Sequence, residues 1–390
     1  MRLILENMKQ IAISILFLLT YSSLADAQSR QRAEYYMDIP IYIDSIQSSL
    51  SYPLAWRNSK QSMSFDQWQQ KARAKVVECM GERPPLPSDW EMKILAEEQR
   101  DGYKAMKIEF ALSRWYRANA YLLLPDGKGP FPAVNLLHDH GAHLYIGKEK
   151  MIAPVGEEQQ VVDDAKLWAD KIYGGQFLGD YLARNGYVVM SMDAPLWGER
   201  GRKEGVDRKK YDIIAGNMMM LGQNLCAYMH YDDITTTDFL ASLPFVDSHR
   251  IAAAGCSMGA YRAWMLAALS DKIKAACAVC WMTTTDTQLS TRYGRRENGG
   301  FANCIPGLRL YLDYPDIASI AAPKPMLFIA GSGDKLFPLD GVRKAYSIMH
   351  DVWNDAGQEE NIRTEISDQP HECNVNNQKA ILNFLDKQLK

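Results

Sequence analysis

Hydrophobic positions follow one rhythm in the first quarter of the chain and another beyond it. Phe65-Asp-Gln-Trp68-Gln-Gln-Lys-Ala-Arg-Ala-Lys-Val-Val-Glu-Cys-Met80 repeats its apolar residues at helical spacing until Pro84-Pro-Leu-Pro87 interrupts it. Three short runs follow, Trp90-Glu-Met-Lys-Ile-Leu-Ala, Tyr103-Lys-Ala-Met-Lys-Ile-Glu-Phe110 and Arg117-Ala-Asn-Ala-Tyr-Leu-Leu-Leu124. Asp101-Gly102 and polar turns join them, which predicts an antiparallel meander. From Ala133-Val-Asn-Leu-Leu137 onward, the strand-like runs lose their polar alternation: Tyr187-Val-Val-Met-Ser-Met192, Ile251-Ala-Ala-Ala-Gly255, 275–281, 325–330 and 362–366. Such runs suit strands buried on both faces. Helical segments separate them, one ending near Leu243, one beginning after Gly259 and one from about Asn377. Strands alternating with helices predict an α/β architecture, a mostly parallel sheet with helices on both faces. Residues 28–89 then read as a helical extension packed on a main domain of residues 90–390.

The start of the chain has a different pattern. Arg2 and Lys9 precede the apolar run Ile11-Ala-Ile-Ser-Ile-Leu-Phe-Leu-Leu19, and Ala25-Asp-Ala27 supplies small residues before Gln28. The run falls short of the roughly 20 residues a bilayer span requires. Residues 1–27 therefore read as a cleaved signal peptide, with a periplasmic or secreted product and no membrane association afterwards. Composition adds little: of 390 residues, 47% are hydrophobic and 23% charged, and the net charge of -3 gives no reason to expect nucleic acid as a partner. The odd count of 7 cysteines leaves at least one thiol outside any disulfide. Cys277-Ala-Val-Cys280 has redox or zinc spacing but sits in an apolar strand, so packed thiols are expected there. Pairing of Cys304 with another loop cysteine cannot be read from sequence, nor can the oligomeric state.

The run Ile251-Ala-Ala-Ala-Gly255-Cys256-Ser257-Met258-Gly259-Ala260 carries the chemistry. Gly-x-Ser-x-Gly between a strand and a helix is the spacing of a nucleophile elbow. Flanking glycines allow the sharp turn, and the helix N-terminus directs N–H groups toward a developing oxyanion. A meander, alternating β and α units, this elbow, then an acid and a histidine in that order resemble the α/β-hydrolase fold over residues 90–390. Within it, His138-Asp-His-Gly-Ala-His143, Met192-Asp-Ala-Pro-Leu-Trp-Gly-Glu-Arg200 and Ala330-Gly-Ser-Gly-Asp-Lys-Leu-Phe-Pro338 resemble exported bacterial carbohydrate esterases. Those are related to acetyl xylan esterases and dienelactone hydrolases, and one branch removes methyl esters from pectin.

The resemblance implies a triad of Ser257, Asp334 and His371. Asp334 lies in the glycine-rich turn after the run 325–330, and His371 lies between the last strand and the last helix. Asp286, just past the preceding strand, is the rival acid. Residues 138–143 permit two readings, because three histidines and an aspartate also suit zinc. Their place after a buried strand, with His140-Gly141 matching the family's His-Gly, favours an oxyanion loop. The N–H of Ala142 or Gly141 would then act with that of Met258, and no metal or other cofactor is expected.

For substrate, loops beyond the strand ends matter. His140, Trp197, Arg200, Trp281, Arg292 and Arg295 are the candidate binding residues, since tryptophans suit sugar faces and arginines suit carboxylates. These point to an esterified plant polysaccharide or oligosaccharide, foremost a methyl ester of a uronic acid in pectin. An acetyl ester such as acetylated xylan is the alternative. A peptidase and a non-catalytic sugar-binding relative are the readings from other classes.

Overall fold

The computed structural model describes residues 39–289 and 300–390. The chain divides after Leu50 into two units, and the described part of the first holds the helix α1 (Ile39–Ser48). In the second unit, Ser51–Lys390, the strands are β1 (Lys93–Arg100), β2 (Tyr103–Ala111), β3 (Arg117–Pro125), β4 (Phe131–Leu137), β5 (Val188–Met192), β6 (Val246–Cys256), β7 (Ile273–Val279), β8 (Met326–Gly331) and β9 (Ile362–Ser367). Its first helices are α2 (Trp56–Ser59), α3 (Phe65–Met80), α4 (Gln159–Ile172), α5 (Leu178–Arg184) and α6 (Arg208–Met220). After them come α7 (Leu225–Ser242), α8 (Met258–Leu269), α9 (Thr285–Gln288), α10 (Tyr314–Ala318), α11 (Leu339–Asp355) and α12 (Val375–Leu389).

All nine strands form one sheet in the order β1-β2-β3-β5-β4-β6-β7-β8-β9. The pairs from β1 to β3, and β3 with β5, are antiparallel; from β5 onward every pair is parallel. The first strand begins three residues later than the sequence run suggests. It continues through Gln99 and Arg100 because the Asp101-Gly102 turn closes the hairpin with Arg100 opposite Tyr103. As an outer strand it is largely exposed, so its hydrophobic signal is weak.

Side-chain alternation divides the core into two layers. Ile251 and Ala253 of β6 face α3, α7, α8, α10 and α11, whereas Ala252, Ala254 and Cys256 face α4, α5 and α12. Helix α3 is anchored by Trp68, Ala72, Val76 and Met80, all fully buried at helical spacing. A Ser64–Gln67 capping box starts it, and Gly81 ends it with φ of 81°. No helix among the described residues is long and apolar enough to cross a membrane. None of the seven cysteines forms a disulfide, and Cys277 and Cys280 are buried at and just beyond the end of β7.

The strand order sets the location of the site. From β4 the chain moves to β5 on one side, then crosses back to β6 on the other. That reversal opens a crevice beyond the carboxyl ends of β4 and β6. The loops leaving those ends are 138–143 and the turn at Ser257.

Candidate active site

Ser257 joins β6 to α8 with φ 55° and ψ −123°, a conformation that costs a non-glycine residue about 1–3 kcal/mol. Its own N–H is fixed to the Val279 carbonyl at 2.8 Å. The close approach of β4 makes Gly259 obligatory, because a Cβ there would lie 1.9 Å from the Leu137 carbonyl oxygen. Ser257 Oγ lies 2.9 Å from His371 Nε2, and His371 Nδ1 lies 2.7 Å from Asp334 Oδ2. The other oxygen of Asp334 accepts the N–H of Leu336 at 2.8 Å, so the carboxylate acts as acceptor on both sides. This makes Nδ1 the protonated nitrogen of the neutral ring and leaves Nε2 to accept the serine proton. Phe337 stacks on the imidazole with ring centroids 5.8 Å apart. Gly331 lets the two loops meet, since a Cβ there would fall 2.4 Å from the Gln369 carbonyl oxygen. A hydroxyl so placed can transfer its proton to the ring as it attacks an electrophilic carbon.

The rival carboxylate is elsewhere. Asp286 is exposed and paired with Lys344 at 2.5 Å.

The loop after β4 folds as a type I′ turn. Gly141 and Ala142 both have positive φ, 57° and 52°, and the His143 N–H reaches the His140 carbonyl at 3.3 Å. Ala142 N–H is not an available donor, contrary to the sequence expectation: it donates to His140 Nδ1 at 2.9 Å. That bond leaves Nε2 as the protonated nitrogen of His140. Burial, with Lys150 and Arg208 nearby, lowers the His140 pKa to about 3 and keeps the ring neutral. Met258 opens α8, where the first N–H groups have no intrahelical acceptor.

The three histidines of the loop have separate partners. His138 donates from Nδ1 to the Asp139 carbonyl and accepts the Ala194 N–H at Nε2, both at 2.9 Å. His143 Nε2 meets Asp164. Among the described residues, the ligand-type groups that gather within 4.8 Å are Cys280–Asp334–His371 and Glu149–Glu157–Glu199, and the loop histidines belong to neither. The glutamates are interleaved with Lys148, Lys107 and Arg202 at 2.7–3.7 Å, so cations already occupy their surroundings.

A cavity of about 290 Å³ opens over Ser257 and His371. Of the candidate oxyanion and binding residues, Gly141, Ala142, Met258, His140 and Trp281 line it. Two candidate binding residues are placed differently. Trp197 is fully buried, packs with Tyr211 and donates Nε1 to the His140 carbonyl at 3.2 Å, so it supports the loop from behind. Arg200 pairs with Asp232 at 2.7 Å, and the Tyr116 and Tyr228 rings lie within 5.8 Å of its guanidinium. It does not line the cavity. Arg292 and Arg295 lie outside the described residues. Among the described residues, the cavity's cations are Arg208, the first residue of α6, and Lys171, near the end of α4 with its ammonium 5.1 Å from the Trp168 ring. Asp207, beyond β5, caps the helix whose first residue, Arg208, lines the cavity. The cap itself, Asp207 accepting the Lys210 N–H, was the legible signal.

The sequence is 29% identical over 254 residues to YtaP of Bacillus subtilis (strain 168), named as a hydrolase, a match that covers 65% of this chain and 77% of that one. In structure it is similar to a Bacteroides fragilis protein named as an acetyl xylan esterase, with TM-score 0.67 and 18% identity over 85% of this chain and 83% of that one. A glucuronoyl esterase from Solibacter usitatus has TM-score 0.59 and 14% identity over 84% and 94% of the two chains. The methylesterase BT1017 has TM-score 0.59 and 16% identity over 90% and 69%. At these identities the structural likeness is one of fold, an α/β-hydrolase sheet with helices around it. Residues 28–371, which contain the whole sheet and the span from Ser257 through Asp334 to His371, match the Abhydrolase family, and the chain belongs to that family.

Proposed function

We propose that this protein is an exported serine esterase of carbohydrate carboxylic esters, acting on methyl esters of uronic acids in plant polysaccharide. The observation that carries the reading is the continuous hydrogen-bonded line Ser257–His371–Asp334, whose first two members line an open cavity. Ser257 Oγ attacks the ester carbonyl while His371 Nε2 takes its proton, and the Asp334 carboxylate stabilises the imidazolium. The N–H groups of Met258 and Gly141 hold the oxyanion. Collapse expels methanol, protonated by His371, and leaves a uronoyl ester on Ser257. Water activated by the same histidine then releases the uronate. Arg208 and Lys171 on the cavity wall favour the acidic sugar, because unesterified neighbours in such a polymer carry carboxylates. Asp139, the acid on the same wall, is already neutralised by Lys150 at 3.4 Å. The fold likeness to a methylesterase and a glucuronoyl esterase agrees with this choice.

Acetyl esters are the second reading, favoured by the TM-score of 0.67 with a protein named as an acetyl xylan esterase. Incubation with pectin and with acetylated xylan, followed by assay of released methanol and acetate, separates them. Methanol from pectin supports the proposal, and acetate alone moves the acetyl reading ahead. Neither product, with a folded protein, defeats both. In a protein that releases either, Ser257→Ala should cut turnover by about 10⁴-fold or more.

A further inference from the structure

The peptide joining His140 to Gly141 is trans, because the cis bonds among the described residues are Gly129-Pro130 and Ala322-Pro323. In a trans peptide the carbonyl and the following N–H point in opposite directions. The His140 carbonyl points into the protein: it accepts from Lys150 Nζ and from Trp197 Nε1, both at 3.2 Å, and neither residue lines the cavity. Gly141 does line it. Its N–H is therefore turned toward the cavity side of the loop, where Ser257 and Met258 stand.

We propose that Lys150 is a positioning residue, whose ammonium fixes the His140 carbonyl from behind and so aims the Gly141 N–H at the oxyanion that forms beside Ser257. The inference rests on the serine esterase reading above. Lys150 is fully buried, with its ammonium also on the Asp139 carbonyl at 3.1 Å and on Asp139 Oδ1 at 3.4 Å. The second oxygen of Asp139 takes Tyr173 Oη–H at 2.6 Å and Trp168 Nε1–H at 3.1 Å. One cation thus holds two consecutive carbonyls of the loop, an arrangement that a neutral side chain of the same length cannot reproduce. Gly141 could not be replaced as the turn residue, since a Cβ would lie 2.3 Å from the Trp168 ring.

The test compares the unaltered protein with Lys150→Met, which keeps the side chain's length and removes its donors. Two rates are measured, phosphonylation of Ser257 by a fluorophosphonate and hydrolysis of p-nitrophenyl acetate, with the thermal midpoint recorded alongside. Both the phosphonylation rate and kcat should fall about 10- to 100-fold, part of the 10²–10³ that losing an oxyanion donor costs. KM should change by less than about 3-fold, so that the loss is confined to kcat. A lysine of purely structural importance would lower the midpoint and leave kcat of the folded protein unchanged, and that result overturns the proposal. Trp197→Phe, which deletes the other side-chain donor to the same carbonyl, should lower kcat about 3- to 10-fold with KM unchanged. Should Lys150→Met fail to fold, an unchanged kcat in Trp197→Phe overturns the proposal in its place. If the unaltered protein resists the fluorophosphonate, the esterase reading falls and this inference with it, an outcome distinct from equal labelling of both proteins.

Discussion

Asp334 and Asp286 follow neighbouring strands, and their surroundings give them different work. The Asp334 side chain is 2% exposed, with one oxygen on the Leu336 N–H and the other on His371 Nδ1. Asp286 is 47% exposed and bound to a surface lysine. An exposed pair of that kind contributes about 0–1 kcal/mol and holds no imidazole in place. Asp334→Asn should therefore fold normally yet lower turnover by about 10²- to 10⁴-fold, because an amide at Oδ2 favours the wrong histidine tautomer. Asp286→Asn should leave turnover unchanged. Steady-state kinetics on a small ester decides this directly, and the reverse pattern would move the carboxylate to the end of β7. The same logic of partners separates the two candidate cations after β5. Removing the Arg200 side chain would strand a buried carboxylate at Asp232, at a cost of about 3–5 kcal/mol in stability. Arg208 pairs with Asp212 at 3.5 Å on an exposed helix face and lies 5.1 Å from the Tyr211 ring, and its removal should cost little stability.

At the scale of elements, the strand–turn–helix from β6 to α8 shows why some of this molecule was legible. The five-residue spacing of Gly255, Ser257 and Gly259 between a strand and a helix announces the turn, although the need for glycine at 255 and 259 comes partly from β4 alongside. Gly259→Ala puts a methyl 1.9 Å from the Leu137 carbonyl oxygen, in backbone that has no free direction to move. Such overpacking should destabilise by about 3 kcal/mol or more and displace α8 from β4, which urea unfolding would register as a lower midpoint with loss of activity. The order of strands and helices was legible for the same kind of reason: buried parallel strands have almost no polar positions, and helix breakers delimit them. What escaped the sequence was decided by distant residues. Trp197 has the composition of a sugar platform, yet a satellite cluster with Leu144, Ala194 and Tyr211 encloses it. Arg200 has the charge of a carboxylate clamp, yet Tyr116, Tyr228 and Asp232, from β3's approach and from α7, surround it. A residue's type is local, whereas its partner is a property of the fold. Ala142 failed as a donor for a subtler reason, since the ring of its neighbour His140 folds back to accept its N–H.

Across the whole molecule a net charge of -3 says nothing of the substrate, but the placement of charge does. Among the described residues, Asp139 on the cavity wall is neutralised by Lys150, and Asp334 is committed to the histidine. Among the same residues, the cations left on the cavity wall are Lys171 and Arg208, carried by helices on different loops of the sheet. A polymer with free carboxylates beside its esters would meet a positive rim above Ser257. The Arg208 side chain is 42% exposed, so solvent screens part of its effect and a contribution of about 1 kcal/mol is reasonable. On this basis Arg208→Ala should raise KM for partly de-esterified pectin by about 3- to 10-fold, with kcat little changed. Hydrolysis of p-nitrophenyl acetate, which has no carboxylate to hold, should be unaffected. Raising the salt from low ionic strength should reproduce the polymer effect in the unaltered protein and leave little more to lose in the variant. Arg200→Ala should lower the thermal midpoint and show no such division between substrates. If Arg208→Ala instead changes both substrates equally, or neither, the cationic rim is not reading uronate, and ester hydrolysis on a neutral acetylated sugar becomes the better account of the same catalytic geometry.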